Sequence, residues 1–307
     1  MLTERQVIIR MSISYRIVEN MCFFINKLPG RGVKGLMMDG EGKLGDKDEL
    51  PRYMKKNGLK AKSFIIDGFY IHRIVSEKAK RHPEKAVIFF PGGGGMARAT
   101  WLHYDTARRI AHNTGADIYI ICYPLAPEHN VRYALDWSEK AYSVFIKKYK
   151  PENITFMGDS AGANLLLSLT QRLDIKPGKL IVISPACGLE DGRNRDIRLK
   201  MEQYDPILSV EMNDLIAENW CRNVPLNSSD ISPEYIDYTS FPKMYFFYGK
   251  HELFYPHVRN YLMTLMEKGV NFNQYVKPMC HDWALCSFFP EGRETINKFC
   301  RIILKCA

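Results

Sequence analysis

One stretch of the chain decides its fold class: residues 154–167 read Ile154-Thr155-Phe156-Met157-Gly158-Asp159-Ser160-Ala161-Gly162-Ala163-Asn164-Leu165-Leu166-Leu167. The apolar run 154–157 predicts a buried strand, and the residues from Ala161 onward predict a helix. Between them, Gly158 and Gly162 flank Ser160 in the pattern GxSxG, which places a serine nucleophile on a sharp strand-to-helix turn. The glycines are required because side chains there would hold strand and helix apart. The alternative is a serine that only caps the helix.

The alternation of strand and helix continues on both sides of this turn. Short apolar runs predict strands at 64–66, 70–75, 86–90, 117–123, 180–184, 244–248 and 272–276. Helical patterns occupy 100–113, 131–149, 161–173, 256–268 and 292–305. Uninterrupted apolar strands that alternate with helices predict an α/β fold, with a mainly parallel central sheet flanked by helices.

Two segments depart from this alternation. Residues 5–28 have the pattern of a helix with a wide apolar face, and the segment 29–57 reads as loop. That helix is expected to cover a pocket or core, with an interfacial membrane helix as the alternative. About sixty residues between the strands 180–184 and 244–248 hold only one helical stretch, near 209–221. A long excursion from the carboxyl end of a strand predicts a lid over the ligand site.

Composition narrows the partners and the compartment. Lys plus Arg is 43 and Asp plus Glu is 34, so the formal net charge is +9. The basic residues are scattered, which argues against a nucleic-acid partner and leaves a membrane surface possible. The eight cysteines form no CxxC pair, so we expect free thiols and no metal. With no convincing signal peptide and no long apolar span, we expect a cytoplasmic protein.

A serine hydroxyl needs a base to remove its proton. His251, His257 and His281 follow Ser160 in the chain. His281 lies on a loop after the strand 272–276, whereas His257 begins a helical pattern and His251 precedes any suitable acid. His281 is therefore the predicted base, because a nucleophile, acid and histidine in that chain order form a catalytic triad.

The acid is expected on a loop that follows an earlier strand. Glu252 follows the strand 244–248 and is the best candidate. Its alternative role is a carboxylate that stabilises the start of the next helix. Asp282 is less suitable because it is adjacent in sequence to His281.

Glycines also follow the strand 86–90, in the run Pro91-Gly92-Gly93-Gly94-Gly95. Consecutive glycines allow backbone N–H groups to point into a cavity, which predicts an oxyanion hole. A flexible surface loop is the alternative, and the absence of GK[ST] or GxGxxG excludes a phosphate loop.

Taken together, these motifs resemble the hormone-sensitive-lipase-like family of α/β-hydrolase fold esterases, over about residues 62–303. The glycine loop is similar to that family's HGGG motif, and the turn at Ser160 has its GDSAG form. The most specific match is the segment Tyr123-Pro124-Leu125-Ala126-Pro127-Glu128-His129.

The resemblance implies a carboxylesterase or lipase-like serine hydrolase that acts on short- to medium-chain acyl esters without metal or cofactor. It implies oxyanion donors from the backbone of Gly93, Gly94 and Ala161. It also implies residues 1–60 as an N-terminal cap segment and 61–307 as the catalytic domain, with a cap insertion at about 186–236. The oligomeric state stays open.

Four positions depart from the family pattern. Pro91 replaces a histidine that supports the glycine loop, and Gly95 replaces a bulky residue, which predicts a wider pocket. Glu252 stands in a motif where aspartate is common, and Ala163 replaces a third glycine. An amidase or deacetylase with the same triad is one alternative. A catalytically impaired binding protein is the other.

Overall fold

A sheet of eight strands organises the part of the chain that the computed structural model describes, which comprises residues 11–26, 50–51, 54, 58–188 and 192–305. The strands are β1 (Leu59–Ile66), β2 (Phe69–Ser76), β3 (Ala86–Phe90), β4 (Asp117–Ile121), β5 (Ile154–Asp159), β6 (Lys179–Ile183), β7 (Lys243–Gly249) and β8 (Phe272–Lys277). Their order across the sheet is β1-β2-β4-β3-β5-β6-β7-β8. The first two pairings are antiparallel and the others are parallel.

The helices cover both faces of this sheet. They are α1 (Ile13–Asn26), α2 (Trp101–Thr114), α3 (Val131–Phe145), α4 (Ser160–Arg172), α5 (Gly192–Glu202), α6 (Val210–Asn219), α7 (Tyr255–Glu267) and α8 (Pro290–Leu304). None of the described helices has the length and apolarity that crossing a membrane demands.

The central strands are buried on both faces, which explains their uninterrupted apolar sequences. Because side chains alternate along a strand, Phe156 of β5 joins a core with α3, α4 and α7. Its neighbour Met157 joins a second core on the opposite face with α2 and α8. The predicted α/β class with a mainly parallel sheet is confirmed.

Most predicted elements lie within a few residues of the observed ones, and β3 matches at both ends. Of the predicted helix 5–28, the structure shows 13–26. Residues 11–12 are described and precede the helix, and residues 5–10 and 27–28 lie outside the described ranges. So does most of the predicted loop 29–57. Helix α5 was not predicted, because it is mostly charged and polar and lacks the apolar periodicity of a helix packed on a core.

Candidate active site

Ser160 lies in the strained turn that its sequence predicts. It follows directly on β5, begins α4 and has a backbone φ of 51°. A Cβ at Gly162 would stand 2.1 Å from the carbonyl oxygen of Phe90 in β3. The small residue therefore lets α4 approach the sheet closely enough to hold Ser160 at the carboxyl edge.

Ser184 connects this turn with the two loops that carry the other candidate residues. It follows β6, whose Ile183 pairs with Asp159 of β5, so Ser160 and Ser184 leave neighbouring strands at the same edge. The hydroxyl of Ser184 donates to Oε1 of Glu252 at 2.7 Å and accepts from the N–H of Asp282 at 3.2 Å. Three loops that are far apart in sequence thereby meet at one point.

The imidazole of His281 is buried between two carboxyl groups. Oε2 of Glu252 lies 3.7 Å from Nδ1, and Oδ2 of Asp282 lies 3.3 Å from Nε2. Burial lowers the pKa of His281, but the negative charges of Asp282 and Glu252 outweigh it and raise this pKa to about 10. The site therefore strongly stabilises a proton on the imidazole.

The second carboxyl oxygen of Glu252, Oε1, is held by the last residue of β7. Besides the bond from Ser184, Oε1 accepts from the N–H of Gly249 at 2.6 Å, and the side chain is fully buried. Burial raises the pKa of Glu252, and its interactions with His281 and Ser184 oppose that rise. Because Oε1 is held in place, Oε2 is left to face the imidazole.

Asp205 supports this loop from the insertion, a role that the sequence analysis missed. Its Oδ2 accepts from the N–H of Leu253 at 2.7 Å, while Oδ1 accepts from the N–H groups of Ile207 and Leu208. The carboxyl group is buried among these donors. Asp205 therefore ties the insertion to Leu253, the residue next to Glu252.

The glycine run after β3 forms a tight turn beside Ser160. The carbonyl of Gly93 accepts from the N–H groups of Met96 and Ala97. The N–H groups of Gly93 and Gly94 donate to no acceptor within the described ranges. Ala161 lies in the first turn of α4, where N–H groups have no acceptor within the helix. Gly94 and Ala161 both line the cavity next to Ser160.

A buried network holds the loop in place although Pro91 offers no side-chain hydrogen bond. Oδ2 of Asp159 accepts from the N–H of Gly92 at 3.0 Å and lies 3.1 Å from Nε2 of His103. Nδ1 of His103 accepts from the N–H of Thr100, so the proton is on Nε2 and is donated to Asp159. This role of His103 was not predicted. The only local signal for it in the sequence is its position three residues after Thr100, to which it is hydrogen-bonded.

The segment 123–129 supports the same loop from the other side. The hydroxyl of Tyr123 donates to the carbonyl of Pro91 at 2.6 Å, and the N–H of Ala126 donates to the carbonyl of Gly95 at 2.8 Å. The motif that carried the most specific resemblance therefore contacts the backbone of the glycine loop.

The space beside Gly95 is filled, in contrast to the wider pocket that its sequence predicted. A Cβ on Gly95 would lie 2.1 Å from the indole of Trp220, and φ at this glycine is 67°. Trp220 follows α6 in the insertion and packs on Tyr123, with ring centroids 5.8 Å apart. The bulk absent at position 95 is supplied by the insertion.

Replacing Gly95 by alanine is expected to lower kcat/KM for an ester substrate at least about tenfold and to destabilise the fold by about 2 kcal/mol. The added methyl group must displace either Trp220 or the loop that holds Gly94, and overpacking of this kind costs about 1–3 kcal/mol. Ester kinetics and thermal unfolding measure the two effects.

Gly269→Ala is the matched control for this change. Gly269 has a similar φ of 71°, and nothing lies within 4 Å of its ideal Cβ. It reproduces the backbone strain without the collision, so kcat/KM should stay within about twofold of the parent. Equal losses of activity in the two variants would show that the contact with Trp220 is unimportant.

A cavity of about 550 Å³, its open mouth included, lies over Ser160. The insertion between β6 and β7 supplies most of its wall. The apolar part of that contribution consists of Ala186, Leu208, Ile216, Trp220, Cys221 and Ile231. Trp220 therefore lines the pocket, whereas Trp283, two residues after His281, is fully buried and does not line it.

Helix α1 contacts the loop that carries His281 and does not line the cavity. The hydroxyl of Tyr15 accepts from the N–H of Cys280 at 2.7 Å and donates to Glu19 at 2.7 Å. Cys280 precedes His281, so α1 secures the loop that carries the histidine. No described residue of α1 lines the cavity.

The described residues contain no group of three or more His, Cys, Asp or Glu side chains placed to hold a metal ion. The six predicted site residues lie at one edge of the sheet: Ser160, His281, Glu252, Gly93, Gly94 and Ala161.

Comparisons with known proteins agree with this geometry. Residues 87–285 match the family model for the alpha/beta hydrolase fold. Carboxylesterase/phospholipase LipF of Mycobacterium tuberculosis is 33% identical over 116 residues, which are 36% of this chain and 31% of LipF. An esterase of Acinetobacter venetianus is 24% identical over 227 residues, covering 71% of this chain and 74% of that protein.

A solved esterase structure from the bacterial hormone-sensitive lipase family superimposes with a TM-score of 0.80 at 21% identity, covering 96% of this chain and 98% of that one. This likeness extends the agreement in fold to almost the whole chain. The match to LipF, in contrast, spans less than a third of that relative's length. With the family model matching well over half of its residues, the chain belongs to the α/β-hydrolase fold family.

Proposed function

We propose that this protein is a serine hydrolase of carboxylic esters with short- to medium-chain acyl groups. The observation that carries the proposal is the placement of Ser160 at the same sheet edge as a buried pair of His281 and Glu252. A nucleophile, a base and an oriented acid, beside unpaired backbone donors, are the parts that acyl transfer requires.

In the first step, Oγ of Ser160 attacks the ester carbonyl and its proton passes to Nε2 of His281. Glu252 faces Nδ1, where it orients the ring and stabilises the imidazolium that forms. The negative charge on the former carbonyl oxygen is stabilised by the N–H groups of Gly93, Gly94 and Ala161. Each such donor typically contributes about 3 kcal/mol to transition-state stabilisation.

Collapse of this intermediate breaks the bond to the alkoxy oxygen. Protonated His281 gives its proton to that oxygen, and the alcohol leaves Ser160 acylated. In the second step, His281 removes a proton from water, whose oxygen attacks the acyl carbonyl. Return of the proton to Oγ of Ser160 releases the carboxylic acid and restores the enzyme.

The cavity supports the proposed size of the substrate. Its volume of about 550 Å³ includes the open mouth, and the walls are largely apolar. Pockets of this size and composition bind small ligands by burying most of their apolar surface. The indole of Trp220 and the side chain of Phe254 lie in the wall and limit the space for a longer acyl chain.

We also propose the division into a catalytic domain, residues 61–307, and a cap. The insertion at about 186–236 forms the wall over Ser160 and is joined to α3 by the ion pair of Asp230 with Arg132 at 2.9 Å. In the N-terminal segment 1–60, Tyr15 of the described part accepts a hydrogen bond from the N–H of Cys280 and so supports the loop that carries His281.

Labelling with a fluorophosphonate tests the proposal directly. We expect one phosphonyl group per chain, attached to Ser160, because only an activated serine attacks such a reagent. Labelling should be faster at alkaline pH, where a larger fraction of His281 is neutral and can accept the proton. Peptide mapping identifies the site. In parallel, p-nitrophenyl butanoate should be hydrolysed with a larger kcat/KM than the matched p-nitroanilide.

Two outcomes would contradict this proposal. Labelling at Ser160 with a faster reaction on the anilide would show an amidase. Absence of both labelling and ester hydrolysis in the folded protein would show that the site binds ligands without chemistry.

A further inference from the structure

Trp220 contacts both the glycine loop and the cavity over Ser160. It follows α6 in the insertion and is only 4% exposed. The three atoms nearest to an ideal Cβ on Gly95 all belong to its indole, at distances of 2.1 to 2.5 Å. Trp220 also lines the cavity, together with Gly94 and Ser160. One side chain of the insertion therefore packs on the loop and bounds the ligand site.

The glycine loop depends on contacts from outside for its conformation. Gly93, Gly94 and Gly95 have φ values of 120°, 65° and 67°. Glycine adopts either sign of φ with little steric cost, so these residues do not restrict their own backbone. The carbonyl of Gly95 accepts from the N–H of Ala126 at 2.8 Å, and the indole of Trp220 packs on the Cα of the same residue. These two contacts fix the backbone next to Gly94.

Trp220 is itself held by elements outside the loop. Its carbonyl accepts from the N–H of Val131, the first residue of α3, at 3.0 Å. Tyr123 packs on the indole with ring centroids 5.8 Å apart, and its hydroxyl donates to the carbonyl of Pro91 at 2.6 Å. The indole is therefore anchored beside the loop.

We propose, on the basis of the esterase function proposed above, that Trp220 is both a positioning residue for the oxyanion hole and the residue that limits the length of the acyl chain. By packing on Gly95, the indole keeps the N–H of Gly94 directed at the site of the developing oxyanion. Because Trp220 belongs to the insertion, the oxyanion hole is complete only when the insertion is seated on the glycine loop.

The acyl chain, rather than the alkoxy group, is the part of the ester that this wall faces. In the proposed mechanism the alkoxy oxygen takes its proton from His281, so the leaving group points toward the loop that carries this histidine. The structure describes all of that loop, residues 278–289, and none of them lines the cavity, whereas Gly94 and Ala161 do.

Acyl chains of different length separate the two roles. An acetyl group is short and needs little of the cavity, so a change that only widens the wall should leave its kcat unaltered. A displaced oxyanion loop, in contrast, weakens an interaction made in the transition state and lowers kcat for every acyl group. The p-nitrophenyl esters of acetate, butanoate and octanoate share one leaving group and provide the series.

Trp220→Leu should lower kcat for the acetate at least about tenfold with KM within about threefold, because a loss of 10²–10³ is typical for one oxyanion donor. The ratio of kcat/KM for octanoate to that for acetate should rise at least about tenfold, since each methylene accommodated in an apolar pocket contributes about 10-fold or more. Trp220→Phe keeps an aromatic ring at the same position and should keep kcat for the acetate within about threefold of the parent.

Trp137→Leu is the matched control. Trp137 lies on α3, is 3% exposed, and does not line the cavity. Its replacement removes a buried indole of the same size, so it should lower the unfolding temperature while kcat for the acetate stays within about twofold. If Trp220→Leu does not fold, Trp220→Met takes its place with the same expected directions, since methionine refills irregular apolar space.

An unchanged kcat for the acetate in the folded Trp220 variant would overturn the positioning role. An equal loss in Trp137→Leu would also overturn it, because the effect would then follow from lost stability. Propyl and octyl acetate test the other side of the ester: a changed preference between these two, with the acyl series unaltered, would overturn the assignment of the wall to the acyl chain. Each of these outcomes leaves the esterase function intact as long as the parent hydrolyses the acetate. If the parent hydrolyses no ester and Ser160 is not labelled, the proposed function fails and this inference fails with it.

Discussion

Replacing Ser160 by alanine is expected to lower kcat for p-nitrophenyl butanoate by roughly 10⁶, the loss that removal of a triad serine typically causes. The alanine has no nucleophile, so the acyl-enzyme cannot form, while the donors of Gly93, Gly94 and Ala161 stay in place. A residual rate above the background in water would reflect those donors and substrate binding alone. Initial rates with the purified variant measure the change.

Ser168→Ala provides the control on the same helix. Ser168 lies two turns further along α4, is 1% exposed, and its hydroxyl has no hydrogen-bond partner among the described side chains and backbone. Its replacement removes a buried hydroxyl without breaking a bond, so activity should be unchanged. Near-parental activity of Ser160→Ala would exclude this serine as the nucleophile.

Glu252→Gln is expected to lower kcat by about 10⁴ with little change in KM. The glutamine has the size of the glutamate, and its amide oxygen can keep the bonds from Ser184 and Gly249. Its NH₂ group then faces Nδ1 of His281 as a donor, which places the imidazole proton on Nε2. In that tautomer the ring cannot accept the proton of Ser160, and such a change typically costs about 10⁴ in kcat.

Asp282→Asn separates this orienting role from a simple effect of charge. Asp282 lies on the opposite side of the ring, 3.3 Å from Nε2, and contributes to the raised pKa of His281. In the proposed mechanism neutral His281 accepts the proton of Ser160, so kcat/KM should rise as the pH passes its pKa. Removing one carboxylate lowers that pKa and should move the rising limb of the pH profile to lower pH, with a plateau kcat within about tenfold of the parent. A larger loss for Asp282→Asn than for Glu252→Gln would reverse the assignment of the acid.

The strands and most helices were predictable from the sequence for one physical reason. Central strands buried on both faces consist almost entirely of apolar residues, as in β5 and β6, and the helices between them repeat their apolar positions with a period near 3.6. α5 was missed because it has little apolar surface to bury.

The catalytic candidates were predictable because the chemistry demands particular residue types in a particular chain order. Ser160 is recognisable from its glycines, and His281 and Glu252 from their places after successive strands. The supporting groups were not predictable. His103, Asp205 and Ser184 contact the site only through the folding of distant segments, and no catalytic motif in the sequence assigns them a role there.

Gly95 is a position where the sequence led to a wrong expectation about the pocket. A missing side chain predicts empty space, but whether that space persists depends on what packs against it, and here the indole of Trp220 from more than a hundred residues away fills it. The fold class, the strained serine turn and the order of the candidate triad could be read from the sequence, because local sterics and hydrophobic periodicity encode them. Three features follow only from the three-dimensional packing: which carboxyl group faces which nitrogen of His281, how a loop beginning with Pro91 is held, and that Trp220 occupies the space beside Gly95. These depend on distances between segments that are brought together by the burial of their apolar surfaces, and such distances are set by the packing of the whole chain.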